Sequence, residues 1–172
     1  MASNLEFIGK FEVTGTVQTL DCDNVFSDAY TSYFIKVSLK ESSAGNDQWI
    51  RIRLIDNSGS VITDSEYDYA QYVMPSNTGF YDSNRAENQD NITYSGIGYV
   101  DGPGQGGEMY IHNPADSASY TFMTASSSTT VTGHQYSVKG VSFHEVAETI
   151  RGIRFYSTAY FGSGSVSIYG VK

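Results

Sequence analysis

Apolar and polar residues alternate with a period of two along most of this sequence. In the range 33–39 every odd position is aliphatic or aromatic, while Lys36 and Ser38 stand between them. A strand with one buried and one solvated face has this period. Similar runs, separated by Gly, Pro, Asn and Asp, occupy 7–13, 50–54, 67–73, 92–100, 108–112, 120–123 and 136–143. This pattern predicts an all-β fold, specifically a jelly-roll-like antiparallel β-sandwich.

The length and composition of the chain indicate one domain spanning residues 1–172. A chain of 172 residues has the size of a single domain, and no internal repeat or linker divides it. Charged residues make up 17% of the chain and aromatic residues 14%. This balance favours strands and turns over helices.

The range 149–172 contains two strand patterns on either side of a segment rich in small residues. Tyr160-Phe161-Gly162-Ser163-Gly164 supplies residues that tolerate turn geometry. The sequence therefore predicts a C-terminal hairpin. The aliphatic and aromatic positions that alternate with polar residues or glycine in its two arms are expected on the core face: Ile153, Phe155, Val166 and Ile168.

Other local patterns predict a short helix and several loops. The apolar residues of 143–150 recur at helical spacing, and Ser142 with Glu145 matches a capping box, so one or two helical turns are expected there. The polar ranges 82–91 and 125–130 are expected to be surface loops.

The charge of the chain argues against nucleic-acid binding and membrane insertion. Nineteen acidic and ten basic side chains give a net charge of -9, which repels nucleic acid and anionic lipid surfaces. No apolar run approaches the ~20 residues of a membrane span. Because the first residues do not resemble a signal peptide, we expect synthesis in a cytoplasm.

The glycines at 102, 104 and 107 satisfy the G-x-G-x-x-G pattern of dinucleotide sites. Such a site requires a helix directly after the glycines, so that the helix N-terminus faces the pyrophosphate. Here the pattern is followed by Met109-Tyr110-Ile111, which favours a strand. We therefore expect a loop at this position and no cofactor. The single cysteine, Cys22, is expected to be a small buried hydrophobe.

Asp64, Glu66 and Asp68 lie on one face of a possible strand. Their carboxylates would suit Ca²⁺. A solvated acidic edge that resists strand pairing is the favoured interpretation. No metal site is therefore predicted.

The chain carries no local signature of catalysis. His112, His134 and His144 accompany many Ser and Asp residues, but no G-x-S-x-G motif is present. The separation of paired carboxylates, which glycoside hydrolysis requires, is a spatial quantity and stays open at this point. The chain is predicted not to be an enzyme.

Aromatic side chains in the central strand patterns are candidates for an interface or a glycan contact. Flat aromatic faces stack on sugars and are enriched in protein interfaces. Packing in the core or on a sheet face is the alternative and the favoured explanation. The candidate residues are Trp49, Tyr67, Tyr69 and Tyr72.

The segment IRGIRFYSTAYFGSGSVSIYGVK, residues 150–172, joins an aliphatic-Arg-Phe-Tyr strand through small residues to an end of Tyr-Gly-aliphatic-Lys. In this it resembles a terminal module of tailed-bacteriophage virion proteins. A looser similarity extends through GEMYIHNP at 107–114 and SYTF at 119–122. The resemblance implies a jelly-roll or lectin-like sandwich of the kind found in tail fibres, tail-tip proteins and proteins that decorate capsids.

The resemblance leads to an expected function in the virion. The first expectation is a capsid decoration or cement protein on the particle surface, acting as a homo-oligomer, with a trimer favoured, and binding other virion proteins. The alternative is a tail-associated glycan-binding module that recognises a receptor. A carbohydrate-active enzyme fragment is the third possibility.

Overall fold

The computed structural model describes residues 4–42, 50–79, 81–94, 106–131 and 134–172. Within these ranges the chain forms eleven β-strands and no helix. Their bounds are β1 Leu5–Glu12, β2 Val17–Cys22, β3 Ser32–Glu41, β4 Ile50–Asp56, β5 Tyr67–Pro75, β6 Tyr81–Gln89, β7 Ile92–Tyr94, β8 Gly106–His112, β9 Thr121–Val131, β10 His134–His144 and β11 Ile150–Val171.

All strand pairings are antiparallel, and nine strands of the sheet follow the order β6-β5-β10-β9-β8-β3-β11-β4-β7, while β1 and β2 each pair with β11. The sheet curls until strands from its two ends meet, where the Gln71 side chain of β5 donates a hydrogen bond to the Thr93 carbonyl of β7. The buried apolar side chains form one cluster inside the curled sheet. The prediction of an all-β antiparallel fold is confirmed.

The predicted C-terminal hairpin is wrong, because β11 is one continuous strand of 22 residues. Its first half pairs with β4 on one edge and β2 on the other, and its second half pairs with β3 and β1. The segment expected to turn contains a register irregularity instead. Gly164 has φ 121° there, and Phe161 is fully buried. Partners on both edges keep the small residues extended across the bend.

The predicted core face of this region is confirmed. Ile153 and Phe155 are fully buried before the bend, and Val166 and Ile168 are fully buried after it. The inward parity thus changes from odd to even positions across 161–164. A β-bulge has this effect because one extra residue opposes a single residue of the partner strand.

Two ranges predicted as loops are strands. Residues 81–89 form β6, which pairs with β5 only, among the described strands. Residues 125–130 continue β9, which pairs with β8 and β10 on its two edges. Ser127 and Thr129 are buried on the inward side of β9. The polar composition of β6 was misleading because an edge strand needs little apolar surface. That of β9 was misleading because small hydroxyl side chains fit inside a narrow barrel-like sheet.

The helix predicted near 142–150 is also wrong. Ser142 and Phe143 belong to β10 and lie opposite Tyr69 and Asp68 of β5. Residues 145–149 form an irregular connection in which Val146 and Ala147 are exposed. Hydrogen bonding of β10 to both β5 and β9 therefore decides the local structure, and the helical spacing of a few apolar residues does not.

Two smaller predictions concern Cys22 and the glycine-rich range. Cys22 is buried in the core, as expected, and burial raises the pKa of its thiol to about 12. Residues 101–105 lie outside the described residues. Gly106 and Gly107 begin β8, so the residues after the glycines form the predicted strand.

Truncation of Phe155 to alanine is expected to lower the free energy of unfolding by ~3–5 kcal/mol, because the side chain is fully buried. Ser167→Ala is the matched control on the outward side of the same strand and is expected to cost little. Urea denaturation followed by tryptophan and tyrosine fluorescence measures both values. Equal losses in the two variants would contradict the assigned parity of β11.

Substitution of Gly164 by alanine is expected to destabilise the fold by at least ~1–3 kcal/mol from backbone strain alone. A Cβ at this position would overlap the carbonyl oxygen of Ser38, and the φ of 121° disfavours an L side chain. Gly79→Ala is the control, since no atom lies within 4 Å of a Cβ built there. A shared denaturation midpoint for both variants would show that β11 tolerates the substitution at its bend.

Candidate functional site

A row of outward-facing side chains crosses eight strands of the sheet. Each member lies directly opposite the next on the neighbouring strand. Every member is half-buried or exposed, and on β11, β3, β8 and β9 the residues on either side along the strand are buried. At about 4.8 Å between strands, the row is roughly 30 Å long. Its members are Phe7, Tyr169, Phe34, Tyr110, Thr124, Val141, Ala70 and Arg85.

The first four members, Phe7, Tyr169, Phe34 and Tyr110, form an aromatic ladder. Their ring centroids are separated by 5.6, 6.0 and 5.2 Å in that order. Aromatic rings at these separations attract one another, and cross-strand pairs also stabilise the sheet. The sheet thus holds a line of partly exposed rings in fixed positions before any ligand arrives.

Beyond Tyr110 the row passes into a groove of about 590 Å³. Small side chains form its floor, among them Ala70, Thr124 and Gly140. Tyr110 and Tyr72 are also part of the lining, and they are 39% and 62% exposed. This volume lies within the usual range of small-ligand sites. The groove therefore combines an open floor with two accessible aromatic rings.

A second outward row, which we call the polar row, runs beside the first, two residues along each strand and three along β1, where a register irregularity adds one residue. Its members are again direct cross-strand neighbours. It places ammonium, carboxylate and hydroxyl groups next to the aromatic ladder and the groove. The polar row consists of Lys10, Ser167, Lys36, Glu108, Ser126, Lys139 and Tyr72.

The charge of this face is opposite to that of the chain. Among the described residues, Lys36, Lys139 and Arg85 form no ion pair or hydrogen bond. Glu108 is the one carboxylate in the described lining of the groove. An adjoining groove of about 470 Å³ shares Ala70, Arg85 and Val141 with this one and adds the carboxylates of Asp68 and Glu87. The exposed cations and tyrosines of the groove can bind a polar or anionic ligand.

Of the three predicted contact residues that the structure describes, one lies in the groove. Trp49 lies outside the described residues. Tyr67 is fully buried, and its hydroxyl accepts a hydrogen bond from Leu54 N at 3.0 Å and donates to the Ile62 carbonyl at 3.3 Å. Burial raises the pKa of Tyr67 well above its usual value. Tyr69 is half-buried against the core, and Tyr72 alone lines the groove.

The remaining aromatic residues of this face were missed from sequence. Phe34, Tyr110 and Tyr169 each stand between two inward residues of a strand, at positions where polar residues are expected. The sequence did contain one sign of them: aromatic residues at the alternate strand positions that face solvent. Their alignment in one row depends on strand register, which the sequence does not show.

The other candidate groups do not converge on the groove. Asp64 and Glu66 lie in the loop before β5, and Asp68 on β5 accepts a hydrogen bond from Asn88 N at 2.8 Å. His112 faces outward and contacts Ser32 Oγ through Nδ1 at 2.9 Å, whereas His144 is buried. The predicted acidic face on one strand is therefore not formed.

No protein-family model, curated protein or solved structure matches this chain. In the described part of the chain, no helix has the length and apolar character needed to cross a membrane.

Proposed function

We propose that this protein is a non-enzymatic recognition protein whose outer sheet face binds an extended, acidic glycan. The observation that carries this proposal is the side-by-side arrangement of the aromatic ladder, the groove and the polar row. A ligand lying along the two rows would contact apolar rings and hydrogen-bonding groups at the same time. An extended polymer of sugar rings has both kinds of surface along its length.

The aromatic residues supply the apolar part of this contact. The C–H face of a sugar ring packs against an aromatic ring, and Tyr adds a hydroxyl that donates or accepts a hydrogen bond. Tyr110 and Tyr72 are the two exposed tyrosines of the groove. Because both stand on strands of the sheet, little conformational freedom of the backbone is lost on binding.

The unpaired cations indicate the charge of the glycan. The chain as a whole carries a net charge of -9, so cations collected on one face are a local feature. A neutral glycan would not require them. Lys36, Lys139 and Arg85 are free of ion pairs among the described residues. They match the carboxylates or sulfates of an acidic polysaccharide, with which charge-assisted hydrogen bonds form.

The resemblance of residues 150–172 to virion proteins of tailed phages supplies the biological setting of the proposal. A phage surface protein that binds a glycan would recognise the host envelope as a tail-associated receptor module. We therefore place the protein on the particle after synthesis in the host cytoplasm.

Substitution of Tyr110 by alanine is expected to weaken binding of an acidic polysaccharide by about tenfold, the factor that corresponds to 1.4 kcal/mol. Lys139→Ala is expected to weaken the same interaction and to reduce its dependence on salt. Tyr160→Ala is the matched control, because Tyr160 is 48% exposed and does not line the groove. Glycan-array screening followed by titration calorimetry measures the affinities. Retained binding in both groove variants, or release of sugar from the polysaccharide, would refute a non-enzymatic glycan site in this groove.

A capsid decoration or cement protein is the second candidate, and the apolar surface of β1 favours it. Phe7 is 58% exposed on β1, which pairs with β11 only, among the described strands. An exposed aromatic residue on a strand with an open edge is suited to contact another protein. In this function the protein would form a homotrimer on the capsid lattice. Three linked copies would bind the lattice more tightly than one, because several weak contacts form together.

The decoration function predicts a trimer in light scattering across a concentration series and co-sedimentation with purified capsids. Phe7→Ser is expected to reduce both, whereas Tyr72→Ala on the distant side of the sheet is expected to leave both unchanged. A persistent monomer that never sediments with capsids would exclude decoration and favour the receptor module.

A further inference from the structure

Two carboxylates and one buried imidazole meet where β5 begins and β10 ends, outside the groove. His144 Nε2 lies 3.0 Å from Glu66 Oε2 and 3.6 Å from Glu148 Oε1. One ligand atom from each of the three residues lies within 4.8 Å of the other two. We call these residues the Glu-His-Glu cluster.

The fold fixes the imidazole firmly within this cluster. His144 is the last residue of β10, lies opposite Tyr67 and Thr121 on the two neighbouring strands, and is fully buried. The rings of His144 and Tyr67 are 5.2 Å apart. The Glu66 carbonyl accepts a hydrogen bond from Glu145 N at 2.8 Å, which ties the two loops that carry the carboxylates.

The protein groups alone do not satisfy the Glu-His-Glu cluster. Nε2 carries at most one proton and can donate it to Glu66, while Glu148 at 3.6 Å is beyond a good hydrogen bond. His144 Nδ1 and the hydroxyl of Thr121 are both buried and have no hydrogen-bond partner in the described structure. Nδ1 and Nε2 point to different sides of the ring, so the unpaired Nδ1 is no evidence for an ion at Nε2. The two carboxylates that share the single Nε2 proton are what point to an ion there.

We propose that Glu66, His144 and Glu148 bind a Zn²⁺ ion. Imidazole nitrogen and carboxylate oxygen are both donors that Zn²⁺ accepts, whereas Ca²⁺ takes oxygen ligands. Tetrahedral ligands at ~2.1 Å from the ion are about 3.4 Å apart. The spacings of 3.0 and 3.6 Å around Nε2 bracket this value.

The site is accessible for loading from solvent. The Glu66 and Glu148 side chains are 31% and 34% exposed, so water can complete the coordination while the imidazole closes the inner side. The ion would join the loop before β5 to the connection between β10 and β11. It would stabilise the fold as a ligand that binds the native state only. This inference does not rest on the proposed glycan function.

Titration calorimetry of the full chain with Zn²⁺ is expected to give one site per chain. Glu148→Gln and Glu66→Gln should each weaken the affinity for Zn²⁺ at least tenfold. Loss of a group that only orients a metal ligand already costs about 10–100-fold, so loss of a ligand itself should cost no less. Glu145→Gln is the matched control in the same loop and should change the affinity less than twofold. Circular dichroism checks that all variants retain the fold.

Substitution of Co²⁺ for Zn²⁺ separates the site from general binding to an acidic surface. Co²⁺ bound by nitrogen and oxygen ligands in a tetrahedral site should show intense visible absorption in the unaltered protein and in Glu145→Gln, and lose it in Glu148→Gln. Equal affinity for Zn²⁺ in all variants would overturn the assignment, because nonspecific surface carboxylates would then explain the binding. Binding of Ca²⁺ in preference to Zn²⁺ would overturn the role of His144 as a ligand.

Discussion

The hydrogen-bond ladders on both edges of β11 are the interaction on which the rest of the structure depends. Four strands that are distant in sequence pair with this one strand, two on each edge. Its side chains also supply a large part of the core, including Ile153, Phe155 and Phe161. The strand therefore joins the two halves of the sheet and fixes their relative register. The bend near Gly164 lets it follow the curvature without losing its partners.

The fixed register explains why a binding face exists. Strands in a sheet display alternate side chains on opposite faces, so a constant register aligns outward residues from many strands into rows. The aromatic ladder and the polar row are adjacent lines of this kind. The same alternation places His144 inward while its neighbour Phe143 remains at the surface. One geometric rule thus positions both the proposed glycan face and the buried imidazole of the proposed Zn²⁺ site.

Much of the fold was predictable from local pattern, because a strand with one buried face leaves a direct mark on the sequence. β3, β4, β8 and the core face of β11 carry this mark clearly. β6 and the polar half of β9 do not, since pairing with neighbouring strands, and not apolar burial, holds them in the sheet. The site was less accessible to sequence reasoning. Tyr72 was found as an aromatic residue in a strand, but its relation to Tyr110 depends on two intervening strands. Glu66 and His144 are 78 residues apart and meet only through the pairing of β5 with β10.

The position of β11 in the chain has a consequence for the order of events in the cell. A ribosome produces β1, β2, β3 and β4 well before residues 150–171, so the strands that flank β11 lack their shared partner until those residues are made. Contacts this distant in sequence slow folding, since long loops must close before the ladders form. Until then the nascent chain presents unpaired edges that invite aggregation. The sheet is thus expected to assemble late, after residue 171 has left the exit tunnel, and chaperones that hold nascent chains would protect it in the interval.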